Sequence, residues 1–181
     1  MVLLDQIVET ISFKRQRAAT SGRGEVLAEK LQSRRSLTEQ IAESILYFVR
    51  EEQDAGRVFR SEADLIGALS GFLVGLEWGL DVLPEARVGP PRFDLLIIKA
   101  TERIIIEVNY GRFKQDYIEA AIAKVRTSAA SAKACGAILI FLSDSDMDAF
   151  AHRLTEDDAR TELWVVGNTE SYLKSLRKQV T

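Results

Sequence analysis

The stretch "RFDLLIIKATERIIIEVNYG", residues 92 to 111, decides the fold. Two apolar runs flank "ATER" (100 to 103), and short runs rich in isoleucine and leucine around a turn segment predict a β-hairpin. Asp94, Glu107 and Asn109 interrupt the runs with polar groups. Side chains on a strand alternate, so Arg92, Asp94, Leu96 and Ile98 share one face, and Ile105, Glu107 and Asn109 share one face. A tight turn with Lys99 opposite Ile104 sets Asp94 across from Asn109 and Leu96 across from Glu107. All three polar groups then point the same way. Diagonal neighbours on a sheet lie roughly 7–8 Å apart, close enough for two carboxylates to converge on one ion. Buried carboxylates are costly unless paired, hydrogen-bonded or metal-bound, and a hard cation such as Mg²⁺ suits an all-oxygen set.

Around the hairpin the chain alternates helix and strand. "SEADLIGALSGFLVGLEWG" opens on a Ser61 N-cap and carries Leu65, Leu69, Phe72, Leu73 and Leu76 on one broad face, which predicts a helix ending near Gly79. "DVLPEARV" predicts a strand before the "GPP" breaker. Beyond the hairpin, a helix is expected from about Lys114 to Ala134, rich in alanine so that it lies close to a sheet. The strand "GAILIFLS", a helical turn, the strand "TELWVVG" and a terminal helix "TESYLKSLRKQV" follow. A helix this long between two strands makes a parallel, right-handed crossover. The expected architecture is α/β, a mixed β-sheet flanked by helices on both faces, over residues 57–181.

Residues 1–56 read as an amino-terminal helical extension. "SLTE" (36 to 39) matches a capping box, and Leu37, Ile41, Ile45, Phe48 and Val49 form a stripe behind it. Packing of that stripe on the main domain is the simpler expectation; a homodimer seam or a protein partner is the sharper one. The basic clusters "FKRQR" (13 to 17) and "SRR" (33 to 35) read as solvated faces unless the rest of the chain points to nucleic acid.

Composition bounds the function. With 181 residues, 46% hydrophobic and 28% charged, the chain suits one sizeable core, and its formal charge of −3 does not carry the whole-protein signature of a basic nucleic-acid binder. One cysteine, Cys135, and one histidine, His152, exclude a zinc centre built from several Cys and His ligands. No apolar segment long enough for a membrane span and no secretion signal is apparent, so the cytoplasm is the expected compartment and no membrane partner is expected. "LSDSDMD" (142 to 148) at a strand's end reads as a polar loop capping the next helix. Trp78, Trp164, Phe141 and Phe150 fall at core positions.

At the hairpin the chain resembles the PD-(D/E)XK nuclease superfamily, the restriction-endonuclease-like fold. That family places an Asp at the start of its second strand, often after Pro, a Glu-x-Lys on the third, and sometimes a Glu on the preceding helix. Here "PPRFD" supplies Asp94, "IIIEVN" supplies Glu107, and "SEAD" offers Glu62, so the resemblance runs from about residue 61 to 142. It implies metal-dependent phosphodiester hydrolysis of DNA or RNA. Asp94, Glu107 and the Val108 carbonyl would hold Mg²⁺ or Mn²⁺, with Asn109 orienting the attacking water. The family's lysine position is occupied by Asn109, a neutral amide, and Lys114 or Lys124 could bring the missing charge from the helix. Lys99 falls on the opposite face of its strand from Asp94.

Ordinary structural roles compete with each assignment. Asp94 could pair with Arg92 or Arg87, Glu107 with Asn109, Tyr110 or a helix arginine, and Lys124 could be a solvated helix residue. Two functions follow: a nuclease, or a catalytically inactive member of the fold that binds nucleic acid or a protein partner.

Overall fold

A computed structural model describes residues 35–88, 92–111, 113–143, 148–154 and 161–168. The expectations for residues 1–34 and for the terminal helix lie outside the described residues. In chain order the elements are α1 (Leu37–Asp54), α2 (Glu62–Gly75), β1 (Asp81–Pro84), β2 (Leu95–Lys99), β3 (Glu102–Tyr110), α3 (Gln115–Ala132), β4 (Gly136–Leu142), β5 (Phe150–Leu154) and β6 (Glu162–Gly167).

The strands form one six-stranded mixed sheet in the order β1-β2-β3-β4-β6-β5. Pairs β1–β2, β2–β3 and β5–β6 are antiparallel, whereas β3–β4 and β4–β6 are parallel. Helix α3 makes the crossover between β3 and β4, as the sequence predicts. The chain is therefore α/β, with an architecture consistent with a nuclease-like fold. Strand β4, "GAILIFL", is buried at every position, because a central parallel strand covered on both faces has no polar side to present.

Two apolar layers sandwich the sheet. On one face α1 and α2 pack Ile41, Ile45, Leu65 and Leu69 against Leu95, Ile97, Ile104 and Ile106. On the other, α3 packs Ile118, Val125 and Ala129 against Leu96, Ile105, Leu139 and Phe141. The stripe of α1 is thus consumed within the chain. Leu37, Ile41, Ile45, Phe48 and Val49 are all buried against the sheet layer, which agrees with the packed reading and leaves that stripe no surface for a dimer seam. Ser36 caps α1 by accepting from the Glu39 N–H at 3.0 Å, and Ser61 caps α2 by accepting from the Asp64 N–H at 3.2 Å. Of the basic residues 33 to 35, the described Arg35 pairs with Glu39 and Glu43, as a solvated face would.

Two local expectations need correction. The turn between β2 and β3 is two residues long, with Lys99 opposite Glu102 and Ala100 at φ 54°, where "ATER" suggested a longer turn closed by Lys99 and Ile104. The segment between "GAILIFLS" and "TELWVVG", expected to hold a helical turn, contributes the edge strand β5 (Phe150–Leu154) on β6. Five residues carry too little pattern to specify a state, and the backbone pairing along β6 makes "FAHRL" a strand, since edge-strand formation is set by what lies alongside. Among the described residues no helix is long and apolar enough to cross a membrane.

Candidate functional site

The corrected register determines how the polar residues meet. Paired positions in β2 and β3 run Leu95↔Ile106, Leu96↔Ile105, Ile97↔Ile104. Continued by one step, Asp94 faces Glu107 directly. A shift of two positions from the expected pairing preserves every residue's face; a shift of one would have turned the acids to the opposite layer. Leu96 and Ile105 lie in the layer under α3, so Asp94, Glu107 and Asn109 belong to that face too.

Asp94 stands just before the ladder begins. Its Oδ2 accepts a hydrogen bond of 2.7 Å from the Val108 backbone N–H, which points toward β2 beyond that strand's first residue and has no strand partner there. In an antiparallel pair the N–H and C=O of one residue face the same neighbour, so the Val108 carbonyl also faces the Asp94 side. Of the arginine partners considered for Asp94, Arg92 pairs instead with Glu85 at 2.8 Å.

Glu107 is largely withdrawn from water, with 13% of its side chain exposed. Its Oε2 lies 3.6 Å from Lys124 Nζ on α3, and its Oε1 is buried without a hydrogen-bond partner among the described residues. Burial pushes the Glu107 carboxyl above the usual range, the neighbouring Asp94 pushes further, and Lys124 pulls it back. Glu62 arrives from the first turn of α2 in the opposite layer. Partial burial and Asp94 raise its pKa as well, against a backbone hydrogen bond from Tyr110 and the charge of Lys124. Four of the expected residues, Asp94, Glu107, Glu62 and Lys124, are therefore close enough to feel one another.

Asn109 is engaged elsewhere. Its Nδ2 donates to the Ile140 carbonyl at 3.3 Å, and its Oδ1 accepts from the Tyr117 hydroxyl at 2.7 Å. The amide is 9% exposed and ties β3 to β4 and to α3. Orienting an attacking water would compete with these bonds. Lys114 is the exposed N-cap of α3. Tyr117 was not legible as a site residue, because its only sequence signal was an ordinary aromatic in the first turn of a helix.

Among the described residues no three His, Cys, Asp or Glu side chains are grouped to hold a metal ion outright. The cluster offers a facing pair of acids with Glu62 as a longer-range third.

No protein-family model matches the chain, and no curated protein is matched by it. Among solved structures it is similar to Pyrococcus furiosus SfsA in complex with Ca²⁺, at 19% identity and a TM-score of 0.29. That likeness covers 45% of this chain and 42% of the other, so the chain spans about two-fifths of the length of the structure it matches. So partial a likeness fixes neither fold nor activity.

Proposed function

We propose that this chain is a metal-dependent phosphodiesterase of the PD-(D/E)XK type that acts on DNA or RNA. The observation that supports it most is the facing pair Asp94 and Glu107 beside Lys124, with a buried Glu107 oxygen that no described residue hydrogen-bonds. An unpartnered carboxylate oxygen in apolar surroundings lacks what a cation supplies. Asp94, Glu107 and the Val108 carbonyl form an all-oxygen set that fits Mg²⁺ or Mn²⁺. Such an ion, when bound, supplies Lewis-acid charge and a water of lowered pKa.

The chain's own residues supply the rest. The Val108 N–H fixes one oxygen of Asp94 and so orients the carboxylate. Lys124 brings beside Glu107 the positive charge that Asn109 lacks, and it would oppose negative charge developing on a phosphate there. Glu62 adds a third acid from the far layer.

A second reading, an inactive module of the same fold that binds nucleic acid, is favoured by the engaged Asn109 amide and by the lack, among the described residues, of a third acid, cysteine or histidine side chain grouped closely with the facing pair. One experiment separates the two: Mn²⁺ titration by calorimetry, with cleavage assays on plasmid and single-stranded substrates and Asp94→Ala as control. Saturable Mn²⁺ binding and cleavage, both lost in the variant, support the enzyme. Substrate binding without either supports the module.

A further inference from the structure

Tyr117 is 49% exposed, the one aromatic among the exposed large hydrophobic residues of the described chain. Exposed tyrosines on helices usually keep their rotamer freedom, and fixing one has an entropic cost. This ring is fixed from two directions. It stacks on Phe113, with centroids 5.6 Å apart and an 18° interplanar angle, and Phe113 stands edge-on to the buried Phe141 at 5.4 Å. Its hydroxyl donates to Asn109 Oδ1 at 2.7 Å, and Asn109 is itself anchored to the Ile140 carbonyl. These contacts tie the first turn of α3 to the sheet, and they also hold a half-exposed ring in one orientation.

Its position is equally specific. Tyr117 and Lys124 are seven residues apart on α3, two turns along one side of the helix. They meet Asn109 and Glu107, which are two residues apart on one face of β3. The tyrosine is thus the next rung of the same ladder that carries the Glu107–Lys124 pair.

We infer that Tyr117 is a stacking platform for an unpaired nucleobase of the strand held at the acid cluster, and that Asn109 is its positioning residue. This rests on the nucleic-acid reading above. A flat, rigid, half-open ring beside phosphate-directed groups suits a base with a free π-face, which single strands and splayed ends present and an intact duplex does not. The same arrangement accounts for asparagine at the position where a lysine is expected. An amide can accept from the tyrosine hydroxyl and donate to a backbone carbonyl at once, and an ammonium cannot accept.

The test uses the full chain and two fluorescent oligomers of equal length, one of deoxythymidines and one with the same phosphates but abasic sugars. Anisotropy without metal reads affinity, and Mn²⁺ reads cleavage. The wild type is expected to prefer the base-bearing oligomer. Tyr117→Leu should remove roughly tenfold of that preference, the scale of one base–aromatic stack. Tyr117→Trp, which keeps a broad face, should retain it, and Asn109→Ala should lower the preference in part. Equal affinity of the wild type for both oligomers, or an unchanged preference in Tyr117→Leu, overturns the platform while leaving the nuclease reading intact. If Asn109→Ala abolishes cleavage of both oligomers without altering the preference, its positioning role is overturned. Failure of the wild type to bind or cut either oligomer overturns the nucleic-acid reading and this inference with it.

Discussion

Lys124 Nζ lies 3.6 Å from Glu107 Oε2, across the gap between α3 and β3. The lysine is 69% exposed while its partner is 13% exposed, so the pair is a buried acid met by a cation from the solvent side. Such a pair adds little stability on the lysine's account. Its consequence is electrostatic: the ammonium opposes the burial that raises the Glu107 pKa.

Lys124→Ala should therefore leave thermal stability within about 0.5 kcal/mol of wild type. Cleavage should fall by roughly 10²-fold, the scale for losing one group that stabilises developing charge. With the ammonium gone, Glu107 holds its proton to higher pH, and the acid limb of the rate–pH profile in Mn²⁺ should move upward. Unchanged cleavage and an unshifted limb would remove Lys124 from the site.

Glu107 and Glu62 both have raised folded-state pKa values, chiefly from burial and then from Asp94. The folded protein then binds protons that the unfolded chain has released. That contribution to stability is fully present below the ordinary carboxylate range and is lost as pH rises through the raised values. Glu107→Gln should stabilise the fold at pH 7 by about 0.5–2 kcal/mol, as relief of a destabilised functional group commonly does. At pH 4 the gain should vanish. Denaturant unfolding at the two pH values checks the sign; an equal effect at both would argue against a titrating Glu107.

Metal binding should be proton-linked for the same reason. Mn²⁺ requires ionised carboxylates, so its affinity should rise with pH across the window just above the usual carboxylate range, with protons released on binding. Calorimetry in buffers of different ionisation enthalpy measures that release. Asp94→Ala removes both a candidate ligand and the acceptor for the Val108 N–H, and should weaken Mn²⁺ by at least about tenfold.

Gly136, the first residue of β4, lies directly under α1. A Cβ placed there would overlap the side chain of the buried Thr38. Gly136→Ala should destabilise the protein by about 1–3 kcal/mol through overpacking. Thr38→Ala, which removes both the hydroxyl that would lie nearest the new Cβ and the methyl, should partly rescue it in the double variant.

Ala100 occupies the left-handed region at φ 54° in the β2–β3 turn. An L-residue there carries roughly 1–2 kcal/mol of strain that glycine avoids, offset in part by the greater unfolded-state entropy of glycine. Ala100→Gly should raise stability by about 0.5 kcal/mol without moving the acids, measured by the denaturation midpoint.

Alternation along residues 92–111 placed Asp94, Glu107 and Asn109 on one face from the sequence, and the structure keeps them there. It did so despite a wrong turn length, because a two-position slip in register leaves faces unchanged. The α2 N-cap, the α3 crossover and the packing stripe of α1 were legible for a similar reason: each is written within a few consecutive residues. The edge strand 150–154 was not, since its state depends on the backbone of β6 alongside it.

What the sequence determined by itself is periodic and local: which side chains share a face, where helices begin, and that carboxylates interrupt two apolar strands. The tertiary structure alone decided the partnerships across elements. That Glu107 meets Lys124, that Glu62 comes within reach from the opposite layer, and that Asn109 holds Tyr117 depend on the height and rotation of α2 and α3 over the sheet. Those are fixed by packing of the whole core, where each contact joins residues whose separation in the chain carries no pattern.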